Sequence, residues 1–288
     1  MIRSQVLQNL QKKKMTRSSL WGLVRCVLVL VFMLFASCRN NPSSEILLKA
    51  GDALREGNVE EALSYYHKLT TLYPNSEASQ EAFYWIGEVY HLFKKQPKES
   101  IEFYRQAVDE GNLTKYGEKS QKKIADIYYK DLKEYKKAIP EYQLLIDKFP
   151  GSKLLGEAQY LIGECYLAIG EYEQARIEYI VLIDRYSMSE FRGDAAYRIC
   201  ITYFRQGDFQ RARREYENFI VLYSDSPLVV NAQLGLANTL EELGETEEAL
   251  NQLTSLEEAY PNREIILRKV DSLLKKKKTL EKEGEVKK

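Results

Sequence analysis

The sequence is sparing in the residues that mark specialised folds. Its 288 residues include 7 prolines, 15 glycines, 4 cysteines and 2 histidines, and its net charge is zero. So little proline and glycine excludes collagen and low-complexity chains. The two histidines, His67 and His91, have no His, Cys or carboxylate partner at ligand spacing, which disfavours a metal set or an acid–base pair. No G-x-S-x-G elbow, G-x-x-x-x-G-K-[ST] phosphate loop or G-x-G-x-x-G turn occurs. The sequence therefore predicts no enzyme, no cofactor, no metal and no small-molecule substrate. Aromatics are plentiful, with 21 Tyr and 10 Phe, which excludes global disorder.

The zero net charge hides a segregation. Residues 1–25 carry six basic side chains and no acidic ones, residues 264–288 carry nine basic against five acidic, and residues 26–263 are left with a net charge of −10. An acidic body is the wrong sign for phosphate backbones, so nucleic acid is not an expected partner.

The longest apolar run is Cys26 to Ala36, eleven residues, short of the ~20 that span a bilayer but suited to a signal-peptide core behind a basic segment. Translation starting at Met1 or at Met15 gives that core its basic flank. The core ends Phe35-Ala36-Ser37-Cys38, which resembles a bacterial lipobox with Phe where Leu is usual. The resemblance implies that 1–37 is a lipoprotein signal peptide, that Cys38 is lipidated, and that 38–43 is a tether. A retained anchor over Leu20–Ser37, or cleavage without lipid, are the alternatives. Arg39, in the place where Asp favours inner-membrane retention, implies the outer membrane's inner leaflet, facing the periplasm. Cys165 and Cys200, set among apolar residues at helical spacing, are expected to be small buried hydrophobes, although a disulfide between neighbouring helices stays open.

The body repeats. YPNS (73–76), FPGS (149–152), YSMS (186–189), YSDS (223–226) and YPNR (260–263) align, the last four 37 residues apart. A small residue stands four before an aromatic at Ala62/Tyr66, Ser100/Tyr104, Ala138/Tyr142, Ala175/Tyr179 and Ala212/Tyr216, with Ala249/Leu253 the degenerate sixth. Tyr90, Tyr128, Tyr166 and Tyr203, with Leu54 and Leu240 in the terminal copies, end the first helices, and Gly57, Gly170, Gly207 and Gly244 mark turns. Helix, short turn, helix, break is an αα-hairpin. Six units follow, at 44–76, 77–115, 116–152, 153–189, 190–226 and 227–263, and a capping helix over 264–283 buries Ile266, Val270, Leu273 and Leu280, with 283–288 frayed.

This arrangement resembles the tetratricopeptide repeat over 44–263. The fold implied is all-α, a right-handed superhelical solenoid of six repeats with a C-terminal capping helix. On that family's pattern the small residue of each first helix is Gly51, Gly87, Ala125, Gly163, Cys200 and Ala237. The concave groove, lined by first helices, is implied to bind peptide or protein through Glu81, Tyr84, Glu88, His91, Asp126, Tyr129, Glu157, Tyr160, Glu164 and Arg198. In the first unit the corresponding residues are Glu45, Leu48, Asp52 and Arg55. Carboxylates there would steer a basic segment and rings would supply contact area. A solvated polar groove with packing tyrosines is the plainer alternative.

The opening unit, LLKAGDALREGNVEEALSYYHKLTTLYPNS, is similar to the start of the BamD/YfiO family of outer-membrane β-barrel assembly lipoproteins. The stretch EAFYWIGEVYHLFKKQPKESIEFY (81–104) resembles repeats of the YbgF/CpoB-like group, which coordinates envelope constriction and wall synthesis. Either resemblance implies a non-enzymatic scaffold that positions partner proteins at a membrane.

Overall fold

The computed structural model describes residues 42–109 and 114–286, with side chains for 42–108 and 114–279. The signal segment, Cys38 and Leu280 lie outside these. The described chain is helical throughout and runs as six antiparallel pairs and a last helix. The pairs are α1 (Pro42–Arg55) with α2 (Val59–Leu72), α3 (Glu77–Glu88) with α4 (Pro97–Asp109), and α5 (Lys115–Asp126) with α6 (Tyr135–Lys148). They continue with α7 (Leu155–Ala168) and α8 (Tyr172–Arg185), α9 (Arg192–Gln206) and α10 (Phe209–Leu222), α11 (Val229–Glu242) and α12 (Thr246–Leu256), closed by α13 (Arg263–Val286). Each helix packs on the next in sequence, and first helices of neighbouring units also touch, as α1 does α3 and α3 does α5. Such nearest-neighbour stacking is a superhelical solenoid whose first helices form the inner wall.

The repeated small residues are the places where helices meet. Ala62, Ser100, Ala138, Ala175, Ala212 and Ala249 have no exposed surface, and the residues four positions on, five tyrosines and Leu253, are buried with them. Tyr104 and Tyr179 pack against Gly87 and Gly163 in the first helix of their own hairpin, and Tyr216 packs against Gly235 of the next unit. The serines that end three of the breaks turn the chain. The hydroxyls of Ser152, Ser189 and Ser226 accept the amides of Leu154, Phe191 and Leu228, turning the chain into the next first helix.

Two hairpins differ from the others. In units four to six the turn closes when an amide bonds back five residues, Glu171 to Tyr166, Asp208 to Tyr203 and Glu245 to Leu240. In units two and three the bond spans six, Gln96 to Tyr90 and Glu134 to Tyr128. The extra residue is taken up by π turns at Val89–Phe93 and Ile127–Asp131, which extend α3 and α5. The left-handed residue that follows is Gly57, Gly170, Gly207 or Gly244 elsewhere, but Lys95 (φ 57°) and Lys133 (φ 54°) here.

The first unit shifts by one residue from the register read in the sequence. Asn58 bonds back to Ala53, not Leu54, and Ala50 is the wholly buried small residue. Gly51 lies one place further round α1, where a Cβ would meet nothing within 4 Å. Ala50 and Gly51 are both small, so residue type alone did not separate them.

At the far end α13 covers α12, burying Ile266 and Leu273, with Val270 half-buried. Lys277 pairs with Glu247, and Lys275 with Asp271 at 2.7 Å, so the lysine run is partly spent within the fold. The helix continues to Val286, past the expected fraying at 283, because no proline interrupts it. Cys165 and Cys200 are free and buried, as small apolar residues would be. Burial, then Glu164's charge, pushes the Cys165 thiol up to about 12. Among the described residues no helix is long and apolar enough to cross a membrane.

Candidate functional site on the inner wall

The acidic residues of the inner wall are engaged by the fold itself. Tyr104 donates its hydroxyl to Glu88 at 2.7 Å, Tyr142 to Asp126 at 2.6 Å and Tyr179 to Glu164 at 2.5 Å. In each case a tyrosine of the second helix reaches a carboxylate of the first. Cations complete the set. Lys123 of the next unit lies 2.7 Å from Glu88, and Arg198 of the next unit 2.9 Å from Glu164. Lys122 bridges Asp126 at 2.9 Å and Glu157 at 3.0 Å. A buried carboxylate is tolerable only when hydrogen-bonded and paired, and these are both.

The proton affinities follow. Burial first, then the adjoining carboxylate, drives the Tyr104, Tyr142 and Tyr179 hydroxyls far above the ordinary phenol range. Burial works against the Asp126 carboxylate, but the Tyr142 and Lys122 hydrogen bonds outweigh it and hold it below its ordinary value. Burial also opposes the Arg198 charge, and Glu164 more than restores it.

The remaining residues expected in the groove are spread along this wall. Tyr84 is packed among Trp85, Tyr104 and Tyr116, with the exposed Lys119 ammonium 5.9 Å from its ring. Glu81 accepts the Tyr116 hydroxyl, and the Trp85 indole at 3.4 Å. Tyr160 stacks on Phe191 and accepts from Arg198 at 3.1 Å. Tyr129 lies edge-on to Tyr135 and Tyr142. His91 meets Asp131 at 3.0 Å, joining the two π turns. The structure thus gathers Glu88, Asp126, Glu157, Glu164 and Arg198 into internal pairs rather than a free acidic strip.

The first unit is built differently. With Ala50 in the small-residue place, the position of Glu88, Asp126 and Glu164 falls on Gly51, which has no side chain. Beside it opens a cavity of about 630 Å³ between α1 and α3. Its walls include Leu47, Leu54 and Trp85, and Leu48 and Phe93, 60% and 51% exposed, stand at the mouth. Tyr66, 2% exposed, lines the cavity, and its hydroxyl has no hydrogen-bond partner among the described residues. Burial, then the charge of Glu81, pushes that hydroxyl up to about 12. The sequence signal for this opening was the twelve-residue spacing from Ala50 to Ala62, the same as from Gly163 to Ala175. A second cavity, about 580 Å³, lies between the loops after α6 and α8, beside Tyr186, Met188 and Phe191.

Comparison with known proteins agrees with this architecture. Residues 197–264 match the family described as tetratricopeptide repeat, and residues 28–188 match soluble NSF attachment protein, SNAP. No curated protein matches the chain in sequence. Among solved structures it is similar to a tetratricopeptide repeat protein from Parabacteroides merdae ATCC 43184, at 17% identity over 82% of this chain and 100% of that one, with a TM-score of 0.50. It is similar to the apo form of RapI at 16% identity, over 81% of this chain and 75% of that one, with a TM-score of 0.51. It is also similar to PilW, a widely conserved type IV pilus biogenesis factor, at 14% identity over 79% and 99%, with a TM-score of 0.50. At such identities the likeness is one of fold. The solenoid fold carries the tetratricopeptide match at its C-terminal end, and through residues 28–188, more than half of its length, the chain belongs to the soluble NSF attachment protein family.

Proposed function

We propose that this protein is a non-enzymatic, lipid-anchored scaffold of the cell envelope that holds partner proteins against its inner wall. One observation carries the docking role: the inner wall is closed by internal pairs over units two to four and open, apolar and exposed at unit one. A fold that satisfies its own carboxylates has no free acidic strip to offer, so contact area and shape rather than charge steering select the partner.

The anchor reading rests on the sequence. Cys38 precedes Pro42 by four residues, a reach of ~14 Å when extended. Lipid on Cys38 would hold the first unit close beneath the bilayer, with the solenoid extending into the periplasm. Within this class, the resemblance of the opening unit to the BamD/YfiO family favours a subunit of an outer-membrane protein assembly machine. A YbgF/CpoB-like coordinator of constriction or wall synthesis is the second reading, favoured by 81–104. Cys38→Ala tests the anchor: the variant should leave the membrane fraction, and unchanged retention would instead support a spanning segment. Proteins crosslinked to the native lipidated form decide between the two machines.

A further inference from the structure

We infer that the cavity of the first unit is a binding site for a neutral, apolar peptide segment of the partner, which inserts a bulky aliphatic or aromatic side chain and offers a backbone carbonyl to the Tyr66 hydroxyl. The inference deepens the proposed docking role and rests on it.

The internal repeats supply the argument. In units two, three and four the buried tyrosine hydroxyl donates to a carboxylate of its own first helix. Unit one keeps the tyrosine, Tyr66, but has Gly51 where the acceptor belongs, and Trp85 takes the place in the next unit that Lys123 and Arg198 hold in theirs. Both polar partners are missing together, as they are for Tyr216 of unit five, where Ile201 and Gly235 hold those places; there Tyr216 lies against Gly235, whereas at unit one a cavity opens. What remains is a nearly buried donor facing a cavity with Leu47, Leu54 and Trp85 in its walls. An acceptor brought by a ligand would give this hydroxyl the hydrogen bond that its counterparts in units two to four make within the fold.

The charge of that acceptor is also set. Glu81 lines the same cavity and lies close enough for its charge to act on Tyr66. Among the described residues the one basic side chain lining the cavity, Arg55, is already 2.6 Å from Asp52. A carboxylate ligand would meet Glu81 without a free cation to offset it, whereas an amide carbonyl carries no such penalty. Apolar walls around one polar contact are the usual make-up of a pocket that seats a side chain and its adjoining backbone.

The test uses the lipidated chain beginning at Cys38, in phosphatidylcholine discs, in which Trp85 is the sole tryptophan. The probes are N-acetyl-leucyl-leucine amide and the same dipeptide as a free acid. The amide should shift Trp85 emission saturably, and the acid should bind at least several-fold more weakly. Tyr66→Phe should weaken the amide by roughly three- to tenfold, the range for one neutral hydrogen bond. Gly51→Leu should fill the cavity and abolish the response. Its thermal midpoint should not fall, since nothing lies within 4 Å of the new Cβ. No saturable shift, equal binding of amide and acid, an unchanged affinity in Tyr66→Phe, or an undiminished response in Gly51→Leu overturns the inference. Capture of native partners by a photo-crosslinker at Lys119, with no amide binding at the cavity, would overturn this site alone and leave the docking role standing.

Discussion

Tyr104 lies with its ring against Gly87 and its hydroxyl 2.7 Å from Glu88, so one side chain both spaces the hairpin and satisfies the carboxylate next to the glycine. Tyr179 repeats the arrangement with Gly163 and Glu164. The inner wall of this solenoid is therefore part of its core.

Glycine substitutions separate the two halves of that wall. A Cβ on Gly87 would come within 2.6 Å of the Tyr104 ring, which Glu88 holds in place. Gly87→Ala should cost about 1–2 kcal/mol despite alanine's better helix propensity, because overpacking outweighs it. Gly51→Ala has open space around the new methyl and should gain about 0.5–1 kcal/mol. Urea unfolding of the two variants measures the opposite signs.

Hydroxyl deletions should differ in the same way. Tyr104→Phe leaves a buried carboxylate with one donor fewer and should cost about 1–3 kcal/mol. Tyr66→Phe removes a hydroxyl with no partner among the described residues and should be within about 0.5 kcal/mol of neutral. A shared loss of similar size would mean that Tyr66 has a partner of its own.

How far the sequence disclosed this follows from what each signal depends on. The repeat was legible because a small residue must recur wherever helices touch, and Ala62, Ala138, Ala175, Ala212 and Ala249 do so. The acidic strip was misleading because residue type places Glu88 on the inner face without revealing Tyr104, sixteen positions on, that engages it. The opening at Gly51 was hidden by its neighbour Ala50, which is small as well. The π turns left only a spacing of 38 rather than 37 between unit markers, and with lysine at the left-handed position no glycine announced the turn.

Those turns make a prediction of their own. Lys95 and Lys133 hold φ values that cost an L-residue roughly 1–2 kcal/mol, while glycine adopts them freely. Lys95→Gly and Lys133→Gly should each raise stability by about 0.5–1 kcal/mol after glycine's greater unfolded-state entropy is counted. Differential scanning calorimetry would register the gain as a higher midpoint, and a lower one would contradict the turn geometry.

Asp126 gives the fold an acid limit. Burial raises its pKa, but the bonds from Tyr142 and Lys122 prevail and the folded value lies below the ordinary 3.8. A depressed carboxylate contributes stability that is complete above its unfolded pKa and lost as pH falls through the folded one. Wild-type stability should therefore decline below about pH 4, and Asp126→Asn should be less stable at neutral pH with a shallower acid slope. Equal slopes in urea titrations from pH 2 to 6 would show that the carboxylate is not held in this way.

The docking role is tested most directly by photo-crosslinking in intact membranes, with the reactive residue at Lys119 on the inner wall or at Glu173 on an exposed second helix. The account predicts one or two stoichiometric protein adducts from position 119 and none of these from 173. Adducts that form equally from both positions, or from neither, would contradict it.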